Sequence, residues 1–190
     1  MSKPIALFVS SSPELQVERE IVGQVVATLP LTIGWRIGHT PMPWDMLGSQ
    51  PAGDDVARVE QCDLYALILG HDFAAPMGVE LRQAVARGIS PLAFRKKCTP
   101  SPSAQDAIRR LDIEWRVFVS SAQLRQLFTR DLSQAMLLHA TQLGLEVKEL
   151  EGLSEWARQL ENEPEEEPAS RHHDAGRSGV ILGREVWDKS

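Results

Sequence analysis

Cysteine is scarce in this chain: 190 residues carry two, Cys62 and Cys98. They stand neither at metal-ligand spacing nor in a set of pairs, which excludes a disulfide framework and fits free thiols in a reducing compartment. Long apolar runs are missing too. The opening "MSKPIALFVSSS" holds an apolar stretch of five residues, too short for the core of a signal peptide and far too short to span a bilayer. A cytoplasmic protein without membrane association is expected. Basic excess is also absent. Residues 1–150 carry 16 acidic and 15 basic side chains, and residues 151–190 carry 10 and 5. A near-neutral body with an acidic tail argues against nucleic acid as a partner. Neither GxGxxG nor GxxxxGK[ST] occurs, so hydrolysis of a nucleoside triphosphate by a P-loop has no support. No internal repeat is present.

What the chain does have is an alternation of short apolar runs and helical patterns. "IALFV" (Ile5–Val9) and "LYALIL" (Leu64–Leu69) are continuously apolar, as strands covered on both faces are. "TIGWRI" (Thr32–Ile37), "SPLAF" (Ser90–Phe94) and "EWRVFV" (Glu114–Val119) read as three further strands. Between them, Ser12 is placed to cap a helix with Pro13 at its first position, and that helix turns Leu15, Val22, Val25, Val26 and Leu29 to one side. Asp54 is placed to cap a short helix containing Val56 and Val59. Gly88 stops a second long helix, residues from about Ala104 to Leu111 form another, and Ala122–Leu143 reads as a single long amphipathic one. Five such units predict an α/β fold of flavodoxin-like type: an open parallel sheet of about five strands, order 2-1-3-4-5, with helices on both faces. The expected division is a domain over 1–148, a C-terminal helix over 149–160 that packs back on it, and an acidic tail over 161–190 with one apolar segment, 178–187.

In sheets of that order ligands sit at the carboxyl ends of the strands, where the strand order reverses between the first and third. The flanking loops are "SSS" (Ser10, Ser11, Ser12) and "GHDFAAPMG" (Gly70–Gly78), which also contains His71 and Asp72. The serines can offer hydroxyls to a phosphate or sugar, or Ser12 can simply cap its helix. Glu80 falls in the first turn of the helix that follows. There it either interacts with the helix dipole, by ~0.3–1 kcal/mol, or faces a ligand. Arg95, Lys96 and Lys97 follow the fourth strand and can attract an anion, while His39, Trp44 and Asp45 sit in an irregular loop suited to a lid or aromatic wall. His172 and His173 in the tail make no metal set.

Three stretches, "LFVSSSPELQVEREIV", "VEQCDLYALILGHDF" and "GVELRQAVARGISPLAF", resemble the uncharacterised TIR-like domain that precedes NACHT or AAA-type STAND ATPases in many signalling proteins. The matching features are a strand followed by serines and a Glu-Arg helix (Val9–Glu20), an aspartate-led apolar strand (Asp63–Leu69), and Glu80, Ala84 and Gly88 at helical spacing. The resemblance runs over roughly residues 4 to 120. It implies a fold shared with TIR domains and nucleoside 2-deoxyribosyltransferases, in which a glutamate on the helix after the third strand works at an N-glycosidic bond; Glu80 stands at that position. Such chemistry needs one carboxylate beside the anomeric carbon. Enzymatic TIR domains carry a Ser and a Trp shortly before that glutamate, and "AAPMGVE" has neither. The deoxyribosyltransferase pattern is met by Asp72 and Gly78, with Val79 where a Thr is usual.

Three functions follow as expectations. One is a signalling domain that recognises a nucleotide-type ligand or self-associates, in a bacterial immunity or stress pathway, with an effector such as a STAND ATPase as partner. The second is an enzyme, an NAD glycohydrolase or deoxyribosyltransferase, with Glu80 catalytic, Asp72 assisting, and Ser10–Ser12, Gly70, His71, Gly78, Trp44 and Arg95 binding. The third is a non-catalytic scaffold that works through its long helix. No cofactor is required, and NAD or a nucleoside enters as ligand or substrate.

Overall fold

The computed structural model describes residues 5–31, 33–37 and 56–161. The elements in order are β1 (Ile5–Ser11), α1 (Gln16–Ala27), β2 (Ile33–Ile37), β3 (Leu64–Leu69), α2 (Ala75–Ala86), β4 (Leu92–Lys96), α3 (Pro102–Arg110), β5 (Arg116–Phe118), α4 (Ser121–Leu138), α5 (Ala140–Leu143) and α6 (Val147–Glu161). Residues 56–59 add a helical turn before β3. All strand pairs are parallel and the sheet order is β2-β1-β3-β4-β5. This is the flavodoxin-like α/β arrangement expected from the sequence, and the strand order reverses between β1 and β3.

The two-residue period of the strands sorts the core into two layers. Ile5, Leu7 and Val9 of β1, with Leu64, Ala66 and Ile68 of β3, pack against α1, α4 and α6 through Val22, Val25, Phe128, Leu132 and Leu153. Phe8, Tyr65, Leu67 and Leu69 pack the other way, against Met77, Leu81 and Ala84 of α2 and Ala104 of α3. Each of the fully buried Leu and Phe side chains stabilises the fold by about 1.5–3 kcal/mol relative to exposure. The same alternation sends Ser10 to the α2 side and Ser11 to the α1 side, although both belong to β1 rather than to the loop expected after it.

Several element ends differ from expectation for physical reasons. β4 starts at Leu92, since Pro91 has no N–H to give to a ladder. Arg95 and Lys96 are therefore strand residues and not loop residues. β5 is confined to Arg116–Phe118. The helix expected over Ala122–Leu143 breaks at His139: Met136 is fully buried, but Leu137 and Leu138 are 39% and 79% exposed, so the apolar repeat outruns the sheet it packs on. Gly144, at φ +69°, then reverses the chain, and Gly88, at φ +77°, ends α2 as foreseen. α6 packs back on the body: Leu153 and Trp156 enter the core, and the Trp156 indole donates to Thr28 Oγ1 at 3.3 Å. No helix among the described residues is long and apolar enough to cross a membrane.

Candidate functional site

α2 begins at Ala75, with Ala74 extended before it and Pro76 in its first turn. Glu80 thus lies in the second turn, where the dipole of the helix end has faded, and the dipole account of this residue falls away. It points into the layer between α2 and the sheet, 4% exposed. Ser10 Oγ donates to Glu80 Oε2 at 2.5 Å. Beside them the Tyr65 hydroxyl is buried, approaching Ser10 without completing a hydrogen bond of ordinary geometry. Burial drives the Tyr65 phenol far above its usual pKa; the Ser10 hydroxyl opposes this and the charge of Glu80 adds to it. A carboxylate, a hydroxyl and a phenol are thereby held in an otherwise apolar layer, directly under the point where the strand order reverses.

Above this group the two loops of the crevice are laced together. Ser12 does not cap α1, whose first residue is Gln16 and whose end carries no side-chain cap. Its hydroxyl instead accepts from Gly70 N–H at 2.8 Å and donates to Asp72 C=O at 2.6 Å. Glu14 Oε1 accepts from His71 N–H at 2.5 Å. A Cβ at Gly70 would run into that same Glu14 oxygen, so glycine there makes room for the carboxylate. Arg19, one turn into α1, fixes the β1–α1 turn by donating to Ser11 Oγ, Ser12 C=O and Pro13 C=O at 3.0–3.2 Å.

The third wall is the start of α3. Asp72 Oδ1 accepts from Ser101 Oγ at 2.5 Å and Ser103 Oγ at 2.6 Å, and these two bonds, Ser101 first, hold its carboxyl below the usual range. Ser101 also caps α3 by accepting from Ala104 N–H. His71 Nδ1 meets Thr99 C=O at 2.6 Å; a carbonyl can only accept, so Nδ1 carries the proton. Gly78 is a helix residue, with Phe73 3.3 Å from where its Cβ would be.

From β4, Arg95 and Lys96 leave on opposite faces. Lys96 Nζ pairs with Glu18 Oε1 of α1 at 2.7 Å, with 39% and 5% of the two side chains exposed. Arg95 is half-buried, and its Nε finds no hydrogen-bond partner among the described residues. Lys97 is exposed; its N–H closes the β4–β5 ladder on Phe118 C=O.

Of the residues singled out from the sequence, the structure gathers Ser10, Ser11, Ser12, Gly70, His71, Asp72 and Glu80 at one end of the sheet. Trp44, His39, Asp45, Asp54, His172, His173 and the 178–187 segment lie outside the described residues. No group of His, Cys, Asp and Glu among the described residues can hold a metal ion. Sequence reasoning missed Glu14, Tyr65, Ser101 and Ser103 as site residues, and it gave Glu18 and Arg19 no role. Only the close repetition of Glu and Arg in "PELQVERE" hinted at them.

A separate cavity of about 670 Å³ opens at the other end, under the amino ends of β3 and β4, lined by Arg87, Glu114, Arg116, Asp131 and His139 among others. Three of its charges satisfy one another: Arg116 binds Asp131 at 3.0 Å and Glu114 at 2.5 Å, and Arg130 shares Asp131. Arg87 donates to the carbonyls of Val59 and Cys62. Cys62 is a buried thiol, its pKa raised by that burial against the pull of Arg87. The carboxylates with serine hydroxyl partners, Glu80 and Asp72, lie instead at the carboxyl end. No family model matches the chain, and no curated protein matches it either.

Proposed function

We propose that the chain is a TIR-like signalling domain that recognises a nucleotide-type ligand at the carboxyl end of its sheet, in a cytoplasmic immunity or stress-response pathway. The observation that carries the reading is the buried Ser10–Glu80 hydrogen bond beneath the reversal point of the strands. Polar groups placed in an apolar layer cost stability that a purely structural domain would recover by using leucine there. The Ser12, Ser101 and Ser103 hydroxyls give their protons to Asp72 and His71 Nδ1 gives its proton to Thr99 C=O, so the Ser101 and Ser103 oxygens face this crevice as acceptors suited to sugar hydroxyls. Self-association or a STAND-type ATPase partner would pass the signal on.

Cleavage of an N-glycosidic bond, of NAD or a deoxynucleoside, is the second reading. It is favoured by the place of Glu80 on the helix after the third strand, opposite a serine hydroxyl. It requires that the covered carboxylate become accessible when the ligand enters.

Incubating concentrated protein with NAD and with deoxynucleosides, and following base release by chromatography beside Glu80→Gln, separates the two. Binding without release supports the signalling reading. Release that is lost in Glu80→Gln makes Glu80 catalytic. Neither binding nor release refutes both.

A further inference from the structure

We infer that the backbone N–H of His71 is an anion subsite of the crevice, closed in this state by the carboxylate of Glu14, and that a phosphate oxygen of the ligand takes the place of that carboxylate. The inference rests on reading the carboxyl end as a nucleotide site.

At the end of β3 the chain turns outward, and the first backbone donors it presents are Gly70 N–H and His71 N–H. The former is taken by the buried Ser12 hydroxyl at 2.8 Å, a fixed part of the fold. The latter is taken by Glu14 Oε1 at 2.5 Å. Glu14 is an exposed residue on a turn, so holding its long side chain in one rotamer has an entropic cost, and water competes for both partners. An internal anion thus sits on a backbone donor at the position where doubly wound sheets bind ligands. Two features fit a phosphate oxygen once Glu14 has swung aside. Gly70 has no side chain, so the approach to His71 N–H is open. The Arg19 guanidinium, tied to the Ser12 and Pro13 carbonyls, puts a positive charge on the same β1–α1 turn that carries Glu14. Because Glu14 carries the same charge as the ligand group, the two exclude each other. The contact sets a threshold on ligand affinity without any movement of the sheet.

The test is a set of 15N–1H correlation spectra of the full chain as wild type, Glu14→Ala and Glu14→Gln, titrated with inorganic phosphate and then with NAD. The His71 amide is expected to shift saturably with phosphate in Glu14→Ala, at least about tenfold more tightly than in wild type, as loss of a competing charge-assisted hydrogen bond predicts. Glu14→Gln, which keeps an acceptor oxygen and loses the charge, is expected to fall between them, and unchanged dispersion elsewhere in its spectrum reports an intact fold. An amide that ignores phosphate in all three proteins, or responds equally in all, overturns the subsite. A shift with phosphate but none with NAD keeps the subsite and removes NAD from the proposed function. NAD binding that leaves the His71 amide unmoved keeps the function and removes the subsite.

Discussion

Ser10 Oγ and Glu80 Oε2 meet at 2.5 Å across 70 positions of sequence, one from an inner strand and one from a helix laid over it. The contact exists because the alternation of β1 puts Ser10 on the same side as Phe8 and Tyr65, and because α2 starts early enough to bring Glu80 to its inner face. Ser10→Ala removes the hydroxyl that donates to the buried Glu80 carboxyl group and is expected to lower stability by about 1–3 kcal/mol. Urea unfolding measures this; a loss under 0.5 kcal/mol, roughly the scale of a neutral surface change, would show that the bond is not formed in solution.

Tyr65 should behave in the opposite way. Its hydroxyl is buried without a hydrogen bond of ordinary geometry among the described residues, and an unsatisfied buried hydroxyl costs about 1–3 kcal/mol. The ring itself stacks on Phe8, with centroids 6.0 Å apart, and Phe keeps that contact. Tyr65→Phe is therefore expected to leave stability unchanged or raise it by about 1 kcal/mol. A clear fall in melting temperature would reveal a partner for the phenol.

Both residues show how far the sequence could be read. The fold was legible because "IALFV" and "LYALIL" are apolar without interruption, as doubly covered strands are, because strands alternate with helices, and because 2-1-3-4-5 is the commonest order for five such strands. The end of the sheet where Ser10–Ser12, Gly70–Asp72 and Glu80 gather was legible for the same reason. The partners were not. Glu80 and Ser10, Ser12 and Gly70, and Asp72 with Ser101 are contacts between loops and elements brought together by the whole fold, and no local spacing encodes them. Ser12 is a case in point: a serine before a proline has the local signature of a helix cap, but the loop after β3 offered its hydroxyl two better-placed partners.

The Lys96–Glu18 pair gives a double-mutant test. Removing Lys96 strands a carboxylate whose side chain is only 5% exposed, so Lys96→Met is expected to cost about 2–3 kcal/mol, less than for a fully buried pair because Lys96 itself is 39% exposed. Replacing both partners, Glu18→Leu with Lys96→Met, should recover most of that loss. If the double variant is as unstable as the single one, the charge on Glu18 serves contacts other than Lys96.

The Asp72 carboxyl supplies a pH signature. Its folded pKa lies below the unfolded value of about 3.9, so its contribution to stability is present above that pH and is lost as the pH falls through the folded pKa. Ser101→Ala and Ser103→Ala each remove a donor to the charged form and should move the Asp72 titration upward, Ser101 more than Ser103. A carboxyl-detected NMR titration follows the residue directly. A midpoint unmoved in both variants would mean that the hydroxyls point elsewhere.

Gly88 is expected to tolerate alanine poorly despite open space around it. Its φ of +77° is the whole reason, and Gly88→Ala should cost about 1–2 kcal/mol in thermal or urea unfolding. A variant as stable as wild type would mean that the end of α2 rearranges easily.

The pinning of α6 gives the domain two poles with separate duties. A Cβ at Gly152 would lie 3.8 Å from Pro30, in ordinary contact, and Trp156 bonds to Thr28, both just before the amino end of β2, so Glu161 follows within roughly 8 Å of that anchor. The crevice is at the far pole, about 20 Å away along a six-residue strand such as β3. Any polypeptide joined after Glu161 is thus attached near the base, at the end of the sheet opposite the crevice. A ligand proposed for the crevice and a partner attached at the base would be coupled most directly through β1 and β3, which run between the two ends.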